Sequence, residues 1–342
     1  MGPKCEFFGT SPHQLAEILG GTGRARIPWR MAREGRDPFA ASALVEGARR
    51  RLLAACETTP LQLQDRRVAA CGTVKLRLDL RDGAVIETVV VPSAGRTTVC
   101  LSSQVGCARG CTFCVTATMG LIRSLSAAEI VAQVYLAVRE ARDAGMPPLR
   151  NVVYMGMGEP LDNLEAVQRS LQVLTDPHAF GLGPARITLS TIGPSPEAIR
   201  AARHLPGRLA WSLHSAREET RRLLIPNTAA RARLVDLRQA FVEVVAERGE
   251  DLFVEITLIA GVNDDVDDAR QMVDFLAPLQ PAVRVNLLSL NSGRAGVSPS
   301  SDAAAERYRQ AMRDAGYLCI IRRARGTDAG AACGQLAVES SA

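Results

Sequence analysis

Three cysteines carry the most specific chemistry in this chain. Cys107, Cys111 and Cys114 fall in the run Gly106-Cys107-Ala108-Arg109-Gly110-Cys111-Thr112-Phe113-Cys114, a Cys-x3-Cys-x2-Cys spacing. A closed iron–sulfur cluster or a structural zinc site uses four protein ligands, and this motif offers three thiolates. The spacing therefore predicts a [4Fe–4S] cluster with one iron left without a protein ligand and able to take a substrate. The bland alternative is three buried cysteines at accidental spacing. Flanking by Gly106 and Gly110, in a chain whose nine cysteines are otherwise scattered, argues against it.

An open-iron cluster resembles that of the radical S-adenosylmethionine (SAM) enzymes, in which the free iron chelates the amino and carboxylate groups of SAM. A second motif, Gly156-Met157-Gly158-Glu159-Pro160, lacks the length and the downstream acid of a dinucleotide fingerprint. A small backbone loop bearing one carboxylate suits instead the ammonium group of SAM. His214 is one of four histidines. A lone histidine is usually structural, but its place at a strand end, after Ser212-Leu213, weighs equally for function. Cys100 and Cys333 lie outside the cluster motif, and taken singly each reads as an inert buried thiol.

These residues need a scaffold, and the residue pattern predicts one. Residues 1–70 read as mainly helical, with spaced apolar positions over 12–19 and 40–56 and with Pro28 and Asp37-Pro38 as breakers. Residues 71–94 read as a β-hairpin extension: Val74, Leu76, Leu78 and Leu80 alternate, and Asp82-Gly83 supplies a tight turn before Val85–Val91. Over 95–336 strands are expected at 97–102, 151–155, 186–191, 208–213, 252–259, 282–289 and 317–322. Helices are expected between them, at 126–144, 163–175, 196–204, 231–248, 266–277 and 302–315, the first opened by a Ser126-x-x-Glu129 capping box. The fold class is α/β, a partial (βα)6 barrel with a small N-terminal helical domain. The chemically suggestive residues fall at or just after strand ends, where βα folds place their sites.

Composition sets the outer bounds. The chain has 342 residues, 47% of them hydrophobic, enough for one large core or a core plus a small domain. No apolar run reaches membrane-spanning length, and Met1-Gly2-Pro3-Lys4-Cys5-Glu6 lacks a secretory pattern, so a cytosolic protein with no membrane partner is expected. Cysteines there argue for metal or redox chemistry rather than a disulfide framework. Net charge is +5, from 41 basic and 36 acidic residues. Arg24, Arg26, Arg30, Arg33 and Arg36 cluster early, Arg49-Arg50-Arg51 follow, and Arg322, Arg323 and Arg325 lie late. Such runs permit a polyanionic partner and fit a solvated face equally well. Aromatic content of 4% argues against a base-stacking platform for single strands.

The whole pattern resembles one family, the radical-SAM ribosomal RNA adenine methyltransferases. That family includes the dual-specificity enzyme modifying C2 of an adenosine in 23S rRNA and tRNA, and the C8-modifying antibiotic-resistance enzyme. The resemblance spans residues 70–336. It rests on Glu87-Thr88-Val89, Cys100-Leu101-Ser102-Ser103-Gln104-Val105-Gly106-Cys107, Met155-Gly156-Met157-Gly158-Glu159-Pro160, Leu189-Ser190-Thr191 and Ser212-Leu213-His214. It continues through Arg325-Gly326 and Ala332-Cys333-Gly334-Gln335-Leu336. Residues 1–70 resemble the family's helical RNA-binding domain only loosely. Val115-Thr116-Ala117 stands where family members carry Ala-Thr-Gly after the third cysteine.

Carried over residue by residue, the resemblance implies that Cys107, Cys111 and Cys114 hold the [4Fe–4S] cluster. It implies that Gly158, Glu159, Ser190, Ser212, Leu213, His214 and Asn291 hold SAM. Cys333 would carry the methyl group, Cys100 would resolve the intermediate, and Glu87 would accept a proton. C2 and C8 of adenine are electron-poor carbons that cannot attack the methyl of SAM, so the family uses SAM twice. A thiolate first takes a methyl by displacement. A second SAM, cleaved by an electron from the cluster, yields a 5′-deoxyadenosyl radical that removes hydrogen from that methyl, and the product adds to the base. Proton loss and attack by Cys100 on the Cys333 sulfur would release the RNA and leave a transient disulfide. The implied substrate is 23S rRNA, with tRNA as a second, presented as a flipped or unpaired adenine at the barrel mouth. C2 is preferred over C8 as the commoner family activity. The implied partners also include a cellular reductant, and the chain reads as a monomer. Two other classes stay open: a radical-SAM methyltransferase for a small molecule or another RNA carbon, and a non-catalytic iron–sulfur RNA-binding protein. Against the last stands the joint presence of Cys100, Cys333 and Glu87, which a binder does not need.

Overall fold

The structure is a computed structural model and describes residues 4–40, 44–291 and 296–336. The N-terminal segment forms helices α1 (Pro12–Leu19), α2 (Thr22–Arg33) and α3 (Glu46–Ala55), tied by the short parallel strands β1 (Cys5–Glu6) and β2 (Cys56–Glu57). Ser11 and Gln14 cap α1 reciprocally, and Gly20 ends it in the left-handed region. Phe7 stacks on Trp29 with ring centroids 4.6 Å apart, and Phe8 stacks on Tyr135 at 5.1 Å. Because Tyr135 belongs to a helix of the barrel, the two regions share one continuous core.

The rest of the chain builds a ten-stranded sheet whose strands lie in sequence order. β3 (Leu61–Val68), β4 (Val74–Leu80), β5 (Val85–Ser93) and β6 (Arg96–Cys100) run antiparallel. Beyond Cys100 a small ladder pairs β7 (Gln104–Gly106) with β8 (Leu121–Ser124). From β6 onward the large sheet is parallel: β9 (Leu149–Tyr154), β10 (Ile187–Thr191), β11 (Arg208–Ser212), β12 (Leu252–Leu258), β13 (Val283–Ser289) and β14 (Leu318–Arg322) follow. Six helices make the crossovers: α4 (Ala127–Asp143), α5 (Leu164–Thr175), α6 (Pro196–Ala201), α9 (Leu234–Arg248), α10 (Val266–Leu276) and α11 (Asp302–Asp314). Two further helices, α7 (Glu218–Leu224) and α8 (Pro226–Ala229), sit in the loop after β11. β3 and β14 do not pair, so the barrel stays open. The α/β expectation of six βα units holds, each element landing within a few residues of its sequence position.

Three local expectations give way. Leu61–Val68 is a strand within the region read as mainly helical; only Leu61 of it is buried. Its alternation, Leu61-Gln62-Leu63-Gln64, stops at Asp65, and Asp65, Arg66 and Arg67 guard the open edge. Pro28 does not break a helix but lies buried inside α2. Cys5 and Cys56 form a disulfide, since β1 and β2 place them directly opposite each other. The apolar spacing over 40–56 condenses into α3, and residues 41–43 lie outside the described residues.

A buried amide fixes the start of the barrel. Gln133 of α4 is fully buried; its Oε1 accepts from the Thr88 hydroxyl at 2.7 Å and the Ser102 N–H at 2.9 Å. Its Nε2 donates to the Ser102 carbonyl at 2.9 Å and to Glu129 at 3.3 Å. Gln133→Leu leaves the Thr88 hydroxyl and Ser102 N–H buried without acceptors. At about 1–3 kcal/mol for each of these two groups, the variant should lose about 2–6 kcal/mol of stability. Urea unfolding would read this as a lower midpoint at unchanged slope, and an unmoved midpoint would show that the network contributes nothing.

Candidate active site

The cysteine loop is held at its base by backbone that tolerates no side chain. β7 and β8 close the loop, and Gly106, at φ 74°, lies where a Cβ would overlap the Gly120 carbonyl oxygen. That carbonyl accepts the Cys107 N–H at 2.8 Å. Gly110 is also left-handed, with the Asn227 side chain 2.7 Å from the place a Cβ would occupy. Asn227 of α8 donates to the Ala108 carbonyl at 2.7 Å, and the Thr112 N–H donates to the Leu224 carbonyl of α7 at 2.9 Å. The three thiols are thus presented over the C-terminal ends of the strands.

A cavity of about 190 Å³ lies there, walled by Cys107, Cys111, Cys114, Gly158, Glu159, Ser190, Ser212, His214, Asn291 and Cys333. Among the residues expected at SAM only Leu213 is absent from the wall; it is fully buried, and its carbonyl accepts from Arg221 at 2.7 Å. The Gly156–Glu159 loop packs on the exit of β6. A Cβ on Gly156 would come within 2.6 Å of the Leu101 carbonyl oxygen, and one on Gly158 within 2.6 Å of the Gln104 Cβ. The Ser103 N–H donates to the Met157 carbonyl at 2.8 Å, and the Glu159 N–H to Gln104 Oε1 at 3.0 Å.

Burial dominates the electrostatics. It pushes Glu159 up to about 7, against hydrogen bonds from the Ile192 N–H (3.0 Å), the Leu161 N–H (3.0 Å) and Thr191 that favour the carboxylate. It pushes Cys107 up to about 11 and Cys111 well above the usual thiol value, so a bound metal is what would hold them as thiolates. Ser190 and Ser212 hydroxyls share a 3.0 Å hydrogen bond at the ends of β10 and β11. His214 has φ 61°, the only positive φ outside glycine among the described residues. Its Nδ1 accepts the Thr257 N–H at 3.0 Å, so the proton of the neutral ring resides on Nε2. The ring meets Phe113 of the cysteine loop edge-on, centroids 4.9 Å apart.

A second cavity, about 410 Å³, adjoins the first; Cys100 lines it, and Cys333, Glu255 and Asn291 line both. Asn291 Nδ2 donates to the Cys333 carbonyl at 3.0 Å, and the Val115 N–H donates to the Gly334 carbonyl at 2.7 Å. The Cys333 loop is therefore tied to the cysteine loop. Cys333 opens to solvent through the cavity yet is enclosed by its walls, which push the thiol up to about 11, with Glu255 adding to the effect. Burial and then Cys333 itself push Cys100 up further. Glu87 lines neither cavity: it is buried in an ion pair with Lys75 at 2.9 Å, on the same strand face as Val89 and Val91, which do line the second.

Two buried groups, Glu255 in the walls and Arg221 behind them, escaped the sequence reading. Glu255, buried on β12, holds the Asn286 amide at 2.8 Å, and Asn286 in turn accepts from Arg322 at 2.9 Å. A carboxylate inside the apolar run Phe253-Val254-Glu255-Ile256 was the available signal. Arg221, fully buried on α7 near Cys111, had none, because its neighbours Arg217, Glu218, Glu219 and Arg222 make it look like part of a solvated face.

The donor set fits an open four-iron cluster. Among the described residues no group of three or more His, Cys, Asp or Glu side chains could hold a metal ion by itself. The three thiols line one cavity, which suits a cluster bound by three thiolates. Arg221 beside them has a buried Nε with no hydrogen-bond partner, which offers charge to an anionic group. The comparisons agree with this geometry. The radical SAM superfamily profile matches residues 101–276. A crystal structure of a radical SAM methyltransferase from Sphaerobacter thermophilus superposes with a TM-score of 0.89 at 35% identity, covering 97% of this chain and 99% of that one. The probable dual-specificity RNA methyltransferase RlmN of Moorella thermoacetica is 40% identical over 98% of both chains. The probable RNA methyltransferase sce1580 of Sorangium cellulosum is 39% identical, covering 84% of this chain and 71% of that protein. This chain belongs to the radical SAM superfamily and, within it, to the RNA methyltransferase family of these relatives. It is a SAM-dependent radical methyltransferase, and its cofactors are a [4Fe–4S] cluster and SAM.

His214 gives the site a pH signature. Burial, and then Arg221, hold its folded pKa down at about 3, below the ordinary value of about 6.5. The unfolded chain therefore binds a proton that the folded chain refuses, and stability falls as pH drops below about 6.5, by up to about 1.4 kcal/mol per pH unit. His214→Asn keeps an acceptor and tolerates the left-handed backbone. Measured by urea unfolding, its stability deficit against the parent should narrow by about 1–2 kcal/mol between pH 7 and pH 5. A constant deficit would show that His214 takes up its proton in the folded state.

Proposed function

We propose that this chain methylates an adenine ring carbon of RNA, C2 rather than C8, in 23S rRNA and also in tRNA, through a methylated Cys333. The observation that carries this reading is the placement of Cys333 in the wall shared by both cavities. Cys333 faces the cysteine loop on one side and Cys100 on the other. A methyl acceptor that must collect its group from SAM and deliver it to a base needs that position. The relatives' names, which specify dual-specificity RNA methyltransferases, support the RNA substrate.

Each residue then has a task, and the surroundings of all but Glu87, which lies outside both cavities, fit it. Cys107, Cys111 and Cys114 hold the cluster, which supplies the electron for reductive cleavage of SAM. Glu159, His214 Nε2–H, Ser190, Ser212 and Asn291 offer acceptors and donors to SAM inside a cavity that excludes bulk water, with Gly158 allowing close approach and Leu213 setting the strand end. The Cys333 thiol, once deprotonated to water, attacks the methyl carbon of one SAM; the new sulfur–methyl bond forms as the sulfonium bond breaks and S-adenosylhomocysteine leaves. The adenine enters the second cavity, whose mouth carries Arg322, Arg323 and Arg325 for the flanking phosphates. Glu87, held by Lys75, accepts the proton lost from the base carbon. With the Cys333 methyl carbon joined to the base, the Cys100 thiolate attacks Cys333 Sγ. The sulfur–carbon bond breaks, and the released carbon keeps the electron pair and takes a proton to become the product methyl. The Cys100–Cys333 disulfide is reduced by a cellular dithiol. A separate reductant supplies the cluster's electron. The N-terminal helices contribute their arginines to the RNA contact.

Two variants test the thiol roles. Cys333→Ala should retain full iron content and SAM binding while losing RNA methylation altogether. Cys100→Ala should accumulate a covalent protein–RNA species, visible as a retarded band that nuclease digestion trims and peptide mapping assigns to Cys333. Methylation intact in either variant would remove that cysteine from the mechanism.

A further inference from the structure

The barrel buries a cation without an anion of its own. Arg221 is fully buried on α7, and all its hydrogen bonds run to backbone carbonyls: Leu213 at 2.7 Å, Ser212 at 3.4 Å and Ile192 at 2.5 Å. Its Nε, also buried, has no partner. No carboxylate among the described residues forms a salt bridge with it. Glu218, on the same helix, acts on Arg221 only through space, its Oε1 accepting the Leu234 N–H instead. Arg109, which does line the cavity, shows the contrast: its guanidinium is paired with Asp162, Nε to Oδ2 at 2.7 Å. Leaving a guanidinium buried and uncompensated is strongly unfavourable, so the charge needs a reason.

Its surroundings supply one. The helix that carries Arg221 ends at Leu224, whose carbonyl accepts the N–H of Thr112, the residue after Cys111. Arg221 and Cys111 lie close enough to act on each other electrostatically, the cation favouring the Cys111 thiolate. The other buried acid nearby, Glu159, bonds to the N–H of Ile192 while Arg221 bonds to the carbonyl of that residue. The three carbonyls fix the guanidinium at the ends of β10 and β11, so it cannot swing out to water. A cube bound by three thiolates is anionic and becomes more so on reduction, and cluster potentials respond to fixed neighbouring charge. In a water-poor site that interaction is strong.

We propose that Arg221 is a positioning residue that acts through Cys111: its fixed charge compensates the anionic cluster and raises its reduction potential. The proposal rests on the cluster being held by Cys107, Cys111 and Cys114. A purely structural brace, tying strand ends through three carbonyls, is the rival account, and the two separate experimentally.

The test is a reductive titration of anaerobically reconstituted protein without SAM, followed by electron paramagnetic resonance, with iron and sulfide content measured on the same samples. Arg221→Met removes the charge and keeps the length; Arg221→Lys keeps the charge and loses the planar fork. The Met variant should be about tenfold harder to reduce, equivalent to a midpoint about 59 mV lower for one electron. The Lys variant should stay close to the parent. If Met alone fails to retain iron while Lys retains it, the charge requirement is upheld. An unchanged potential in a fully loaded Met variant overturns the proposal, as does equal loss of iron in both variants, which marks a brace. A parent protein that takes up no four-iron cluster would overturn the cluster reading itself, before either variant is compared.

Discussion

The close approach of two backbone segments governs the rest of the site. The loop after β9 lies against the exit of β6 so tightly that Gly156 and Gly158 have no room for a Cβ. Hydrogen bonds from Ser103 and Gln104 to the Met157 carbonyl lock the contact, and Ser102 is pinned from behind by Gln133. Because Gly106 makes a second such approach at Gly120, the segment from 101 to 120 is registered against the barrel before any ligand binds. Glu159 and the three cysteines inherit their relative positions from this contact. A site that must hold a cluster and a sulfonium cosubstrate together requires that preorganisation, since a loop free to drift would lose its geometry.

Enclosure then sets the chemistry of the side chains that the backbone has placed. The same burial that raises Glu159, Cys107 and Cys111 lowers His214 and Arg221, each group being pushed toward its neutral form. Hydrogen bonds resolve the conflict differently at each position. His214 spends Nδ1 on a backbone N–H and keeps Nε2–H for the cavity. Glu159 occupies its oxygens with backbone N–H groups at the ends of two different loops, so the carboxylate also joins those loops. Arg221 sits apart from these as a permanent charge among carbonyl dipoles.

The C-terminal segment unites the two cavities. It docks on the antiparallel strands through the Ala70 N–H to Asp328 at 2.8 Å and Arg325 to the Pro92 carbonyl at 2.7 Å. It docks on the cysteine loop through Thr116 and Val115. Cys333 thus sits at the junction of the meander, the barrel and the cluster loop. The meander strands β3 to β5 are part of the same sheet as the barrel, which explains how Cys100 at the end of β6 can share a cavity with a residue over two hundred positions away.

Much of this protein was legible in the order of its residues. The Cys-x3-Cys-x2-Cys spacing, the strand–helix alternation after residue 95 and the Ser126–Glu129 cap are local, because hydrogen-bond periodicity and ligand bite act over a few residues. So the six βα units and the cysteine loop could be read directly. The edge strand Leu61–Val68 could not, since its alternation stops at Asp65. Pro28 misled because its burial is set by what α2 packs against, not by its own helix. Cys5 and Cys56 are joined only because two short strands bring together residues fifty-one positions apart. Arg221 reads as one more charge on a polar helix until the fold encloses it beside Cys111. The sequence by itself determined which chemistry the chain can perform. Tertiary structure alone decided which residues share a cavity and which charge is left unpaired, because burial and long-range contact are properties of the folded chain.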